Sequence, residues 1–129
     1  FKIPFDGLAF FVGVVSVWLE YQADVELHRF RESRQSREEV LTTGAWSWCR
    51  HPNYLGELGV WLSVLLFGYA SIGNMGGWMA VGFLVMVALF VFISIPMIEM
   101  KMERDKPTYQ IYKSHTYSLL PLSRLRSNK

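Results

Sequence analysis

The chain has 129 residues, enough for one domain or part of one. Apolar residues make up 51% and aromatics 16%, high for a soluble domain, while a formal charge of +2 argues against nucleic-acid binding through bulk electrostatics. Cys49 is the only cysteine, so no internal disulfide can form and no cysteine-based metal site is suggested; the expected reading is a small buried residue beside a helix start.

The chain opens at Phe1 without Met and carries no recognisable secretory signal, so it reads as a fragment whose upstream part is missing. The first apolar stretch, Phe5 to Leu19, is interrupted only by Asp6. It continues into EYQADVELHRFR (Glu20 to Arg31), which extends the same helix beyond the apolar region. Glu20, Asp24, Leu27 and Arg31 follow the 4-3-4 spacing of one helical stripe, so two acids and a base line up on one side. Glu32 to Thr43 is polar and mixed in charge, a surface excursion to which no chemistry attaches.

The character of the chain changes over GAWSWCRHPNYLGELGVW (Gly44 to Trp61). Pro52 fixes φ and lacks an N–H, which suits the first turn of a helix. A helix starting there puts Asn53, Glu57 and Trp61 on one face. Glu57 is the single charged residue from Tyr54 to Ile72, and a carboxylate inside an apolar span is a functional candidate by default. Trp46, Trp48, Tyr54 and Trp61 suit a membrane-interface belt.

SIGNMGG (Ser71 to Gly77) predicts a tight turn between antiparallel helices. Its glycines follow no strand and lack the spacing of a phosphate loop. Trp78 to Ile98 contains no charge, passes the length of about 20 residues needed to cross a bilayer, and ends at Pro96. Beyond it the chain is amphipathic. Asp105 and Pro107 signal a new helix that places Tyr109, Tyr112, Lys113 and Thr116 on one flank. That helix either lies in the membrane interface or folds back over the helix ends to close a polar pocket. Residues 122–129 form a basic tail.

These elements predict an all-α integral membrane bundle of about three transmembrane helices with further cytosolic or interfacial helices. Apart from Lys2, every Lys and Arg falls between Arg29 and Arg50 or between Lys101 and Lys129, so both basic segments face the cytosol. The implied location is a bacterial inner membrane or the endoplasmic reticulum, with the lipid bilayer as a partner.

Three motifs, A-D-x-x-L-x-x-F-R (residues 23–31), C-R-H-P-N-Y-L-G-E (49–57) and K-P-T-Y-Q-I-Y-K-S-H-T-Y-S-L-L-P (106–121), resemble the C-terminal domain of the steroid 5-alpha-reductase family. The resemblance implies that residues 1–121 are a membrane domain binding NADPH at the cytosolic side. It also implies reduction of the activated C=C bond of a lipophilic, steroid-like or enone substrate. The cofactor residues expected from it are Asp24, Arg31, Arg50, His51, Asn53, Tyr54, Glu57, Arg104, Tyr109 and Tyr112, with no metal. The chain departs from the steroid-reducing members at Glu20, where they tend to carry an amide, and at Lys101 and Asp105.

The residue chemistry is compatible with this. Arg31, Arg50 and Arg104 suit phosphates, Asp24 and Glu57 suit ribose hydroxyls, and Asn53 suits an amide. No G-x-G-x-x-G follows a strand, so the site is not of the Rossmann type. Within this chain Glu57 is the one candidate for the catalytic acid, which is otherwise expected upstream. The alternative is an S-adenosylmethionine-dependent methyltransferase of the isoprenylcysteine carboxyl or phospholipid type, with Arg50-His51-Pro52 and the acidic pair Glu99/Glu103 as its motifs. A third reading is a structural membrane subunit in which Arg50 pairs with Glu57.

Overall fold

The structure, a computed structural model, describes residues 3–72 and 77–120, and every regular element among them is helical. Helix α1 spans Ile3–Ser33, α2 Pro52–Ile72, α3 Trp78–Leu89, α4 Ile95–Asp105 and α5 Tyr109–His115. A 3₁₀ turn at Gly44–Ser47 precedes α2, and a π-helical turn at Phe90–Ser94 joins α3 to α4. The expected basic tail lies outside the described residues, as do residues 73–76 of the expected turn.

Three helices are long and apolar enough to cross a membrane: Pro4–Ser33, Pro52–Ile72 and the continuous Trp78–Asp105. Their outward faces carry exposed Phe10, Trp18, Val64, Leu84 and Phe92, as a lipid-facing bundle requires. At 1.5 Å per residue α1 is about 45 Å long, against a hydrocarbon core of about 30 Å. Its last turns, with Asp24, Leu27 and Arg31, therefore stand beyond the apolar layer.

Pro96 does not end the third span. It has no N–H for the carbonyl four residues back, and its ring crowds that carbonyl. The backbone accommodates it by widening: the Ile95 N–H bonds to the Phe90 carbonyl, five residues back. The helix passes through the proline and delivers Glu99, Lys101 and Met102 to the charged end. It stops at Asp105 because Lys106 precedes Pro107 and is driven to an extended conformation (φ −131°, ψ 102°). Helix α5 begins two residues beyond Pro107 and folds back. The N–H groups of Arg50 and His51 bond to the carbonyls of Tyr117 (2.9 Å) and Ser118 (3.1 Å), so the closing segment lies against the start of α2.

Helices α1 and α2 pack antiparallel along a seam of small residues. Ala9, Gly13, Ser16 and Ala23 on α1 recur at spacings of 4, 3 and 7, and Gly56, Gly59, Ser63 and Ala70 on α2 at 3, 4 and 7. Ala9 and Ala23 are fully buried, and Ser63 Oγ donates to the Ala9 carbonyl at 2.6 Å. Such residues let two backbones approach closely where lipid removes any hydrophobic drive between helices. A Cβ on Gly56 would lie 2.8 Å from both the Ser16 carbonyl oxygen and the Glu20 nitrogen, whereas one on Gly82 would meet nothing within 4 Å. Gly56→Ala is therefore expected to destabilise the protein by about 1–3 kcal/mol through overpacking, while Gly82→Ala leaves stability unchanged or slightly raised. Thermal melts of the two variants in detergent check this; indistinguishable melts would refute the close seam.

Candidate functional site

The charged ends of the helices enclose a cavity of about 1000 Å³. Its walls come from the end of α1 (Asp24, Leu27, Phe30, Arg31), the start of α2 (Asn53, Tyr54), α4 (Ile98, Lys101, Met102, Asp105) and α5 (Tyr109, Tyr112). Residues 34–43 cross it as a strap contributing Arg34, Arg37, Glu38, Val40 and Leu41. Trp46, Arg50, His51 and Lys106 complete the lining.

Two polar devices set the strap and the turn after it. Gly44 has φ +62°, and the Glu26 carboxylate occupies the space where a side chain would stand. That approach lets Glu26 accept from the Ala45 N–H at 3.0 Å, and the buried Trp46 indole N–H donates to the Ala23 carbonyl at 3.1 Å. The second device is Lys106, whose ammonium donates to the carbonyls of Arg37 (2.7 Å) and Glu39 (2.5 Å). Burial, and then the positive fields of Arg34 and Arg31, push this ammonium below the usual lysine range. Three cations thus crowd one end of the cavity.

Arg50 and His51 of the wall belong to an ion cluster whose centre, Glu99, is nearly dry. Glu99 Oε1 accepts from Arg50 Nε at 2.7 Å and lies 2.9 Å from His51 Nε2. Arg50 also donates through one terminal nitrogen to the carbonyls of Lys113 (3.0 Å) and Thr116. Lys113 lies 3.7 Å from Glu99 and 2.7 Å from Glu103, and its hydrogen bond to Glu103 holds its ammonium above the usual lysine range. From His51 a column of rings leads inward: His51 stacks on Tyr54 (centroids 5.4 Å apart) and Tyr54 on Phe90 (4.7 Å). Phe90 belongs to the core with Leu58 and Ile95, so the cavity wall is continuous with the packed interior.

On the other side, Tyr112 aims its hydroxyl at the carbonyls of Trp46 and Cys49, the latter 3.1 Å away. Burial pushes the pKa of both Tyr112 and Tyr109 well above that of an ordinary phenol, so both hydroxyls stay protonated. These contacts decide between the two arrangements open for the last helix: α5 folds back and closes the pocket.

Of the residues expected at the site, Asp24, Arg31, Arg50, His51, Asn53, Tyr54, Tyr109 and Tyr112 come together around the cavity. Glu57 and Arg104 are not on its wall. Glu57 looks toward α1, where its charge reaches Glu20. Arg104 is exposed and pairs with its neighbour Asp105 at 3.2 Å. Arg50 has its guanidinium bound to Glu99 and two carbonyls, so it braces the wall, and its acidic partner is Glu99 rather than Glu57. Sequence reasoning passed over the strap. Its signal was present in the three-residue spacing of Arg31, Arg34 and Arg37, and among the described residues none of these three enters an ion pair.

Cys49 is buried to 1% exposure, and desolvation pushes its thiol up to about 11 from 9.0. A raised folded-state value means that the folded protein holds a proton the unfolded chain has released. This contribution to stability is complete below pH 9 and lost as pH rises through about 11. The folded protein should accordingly resist maleimide at pH 8 and react promptly once denatured. Rapid labelling of the native protein would contradict the burial.

Comparison with known proteins places these features in a group. A family model described as "Protein of unknown function (DUF1295)" matches residues 3–116. An uncharacterized protein of Schizosaccharomyces pombe is 34% identical over 80 residues, covering 61% of this chain and 23% of that protein. The matched segment thus spans about a quarter of the length of that curated relative. No solved structure matches.

Proposed function

The chain belongs to the DUF1295 family, and from that premise we propose that it forms the cofactor-binding part of a membrane-embedded, NADPH-dependent reductase acting on the activated C=C bond of a lipophilic substrate. The family's relation to steroid 5-alpha-reductase-like proteins supports this reading. The observation that carries it is the cavity itself: a large space at the ends of apolar helices, walled by guanidinium groups that enter no ion pair among the described residues and by aromatic and amide groups.

The residues fit a phosphorylated dinucleotide. Arg31 and Arg34 offer planar, permanently charged forks for phosphate oxygens. Asp24, one turn and three residues before Arg31 on the same helix stripe, accepts from ribose hydroxyls. Asn53 presents a donor and an acceptor to a carboxamide. Tyr54, its ring fixed between His51 and Phe90, lines the space as a rigid aromatic edge rather than an open face. The strap and α5 both contribute to the walls of the space. Bound NADPH would supply the hydride, and this chain's part is to hold and orient it at the membrane boundary. On this reading the site faces the cytosol.

The methyltransferase alternative needs Glu99 and Glu103 for a cationic cofactor. Both carboxylates are already engaged, Glu99 by Arg50 and His51 and Glu103 by Lys113, and neither lines the cavity.

In the full-length protein, NADPH should raise the melting temperature while S-adenosylmethionine leaves it unchanged. Asn53→Ala should weaken NADPH binding about three- to tenfold, the worth of one hydrogen bond to a neutral amide, with the unliganded melt preserved. Stabilisation by S-adenosylmethionine alone would overturn the assignment.

A further inference from the structure

Reducing a C=C bond takes a hydride and a proton. A nicotinamide supplies the hydride alone, so a group on the cavity must supply the proton. Glu57, the acid expected from the sequence, is not on the wall. Phenols, ammonium and guanidinium groups hold their protons well past neutral pH, and carboxylates have given theirs up below it. Imidazole is the side chain that exchanges a proton near neutrality, and among the described residues His51 is the one imidazole on the wall.

The two ring nitrogens of His51 are unlike. Nε2 lies 2.9 Å from Glu99 Oε1, and a carboxylate brings no hydrogen to that contact, so Nε2 carries it. Nδ1 is then the nitrogen that gains and loses a proton. It has no hydrogen-bond partner among the described residues. No fully buried side-chain nitrogen or oxygen there lacks a partner, so Nδ1 is not sealed. The residue is only 5% exposed and lines the cavity, which makes the cavity the space that Nδ1 opens onto. Glu99 and the Tyr54 ring, stacked with centroids 5.4 Å apart, hold the imidazole in place.

Resting on the reductase reading above, we infer that His51 is the catalytic acid of the reduction, delivering its Nδ1 proton to the substrate, with Glu99 as the group that orients it. As a hydride forms the new C–H bond at one carbon of the C=C, the π electrons move to the other carbon. That carbon takes the proton as the Nδ1–H bond breaks, leaving a neutral imidazole whose Nε2–H stays on Glu99. The same two electrons oxidise the dinucleotide and reduce the substrate, and water reprotonates Nδ1 once the product leaves. Asn53, assigned to the carboxamide, is two residues further along the chain, so the nicotinamide end of the cofactor lies beside His51 on this reading.

The test uses the full-length protein in phosphatidylcholine nanodiscs, with NADPH and with progesterone as an enone probe. His51→Gln keeps an amide donor for Glu99 but carries no transferable proton. It should lower kcat about 100-fold or more, the contribution of a general acid, and weaken NADPH binding far less, with the unliganded melt preserved. His115→Gln, at an exposed position, should change neither. Free imidazole should restore turnover to His51→Ala and not to His51→Gln. A folded His51→Gln protein that keeps wild-type turnover would overturn the assignment and leave the reductase reading standing, as would a loss in His51→Ala that imidazole does not relieve. Diethyl pyrocarbonate, which attacks an unprotonated imidazole nitrogen, reads Nδ1 without any substrate: it should modify His51 in the native protein, and NADPH should slow it. Reaction at the exposed His28 and His115 alone would show Nδ1 closed to the cavity and overturn the inference, whether or not progesterone is reduced. Failure to bind NADPH would overturn the reductase reading and this inference with it.

Discussion

The arrangement of the charged end depends on one buried carboxylate. Glu99 sits on a helix that has just crossed an apolar span, and it is matched there by Arg50 and His51. Both members of the Arg50–Glu99 pair are about nine-tenths buried, so neither charge is tolerable without the other. One terminal nitrogen of Arg50 donates to carbonyls of α5 and the segment after it. A single guanidinium thereby joins the start of α2, the end of α4 and the closing segment. Without that junction the walls of the cavity would have no common anchor.

The membrane-spanning part supplies the frame for this junction. The small-residue seam brings α1 and α2 into backbone contact and fixes their register, which sets Asp24 and Arg31 opposite Asn53 and Tyr54. The π turn before Pro96 keeps the third span continuous, so that α4 arrives at the same level with Glu99 pointing inward. The cavity is thus a consequence of three helices ending together just beyond the apolar layer. That position suits a polar cofactor meeting a substrate dissolved in lipid.

Much of this could be read from the residues in order. The all-helical spans, the start of α2 at Pro52 and the common stripe of Asp24 and Arg31 follow from periodicity and proline chemistry, both of which are local. What escaped depends on contacts distant in sequence. Arg50 and Glu99 are 49 residues apart, and nothing local pairs them. Glu57 attracts attention as the lone charge in an apolar run, yet its helical face turns it toward α1 rather than the cavity. Arg104 sits in a basic cluster like a phosphate ligand, but its place on α4 leaves it in solvent. The strap was opaque because a polar loop without periodicity resembles any solvated excursion. Only the fold, in which Lys106 grips the carbonyls of Arg37 and Glu39, brings Arg34 and Arg37 to the cavity wall. Pro96 read as a terminator because the compensating π turn carries no sequence mark.

The most direct measurement of the central claim is a double-mutant cycle on Arg50→Met and Glu99→Met, followed by thermal unfolding in detergent. Each single variant removes the buried partner of the other charge, leaving Glu99 to His51 and Lys113 or Arg50 to backbone carbonyls, and should lose about 3 kcal/mol. The double variant should lose much less than the sum, a coupling on the order of 2 kcal/mol or more. Additive losses would show that the two charges do not depend on each other, and the proposed anchor of the cavity would be wrong.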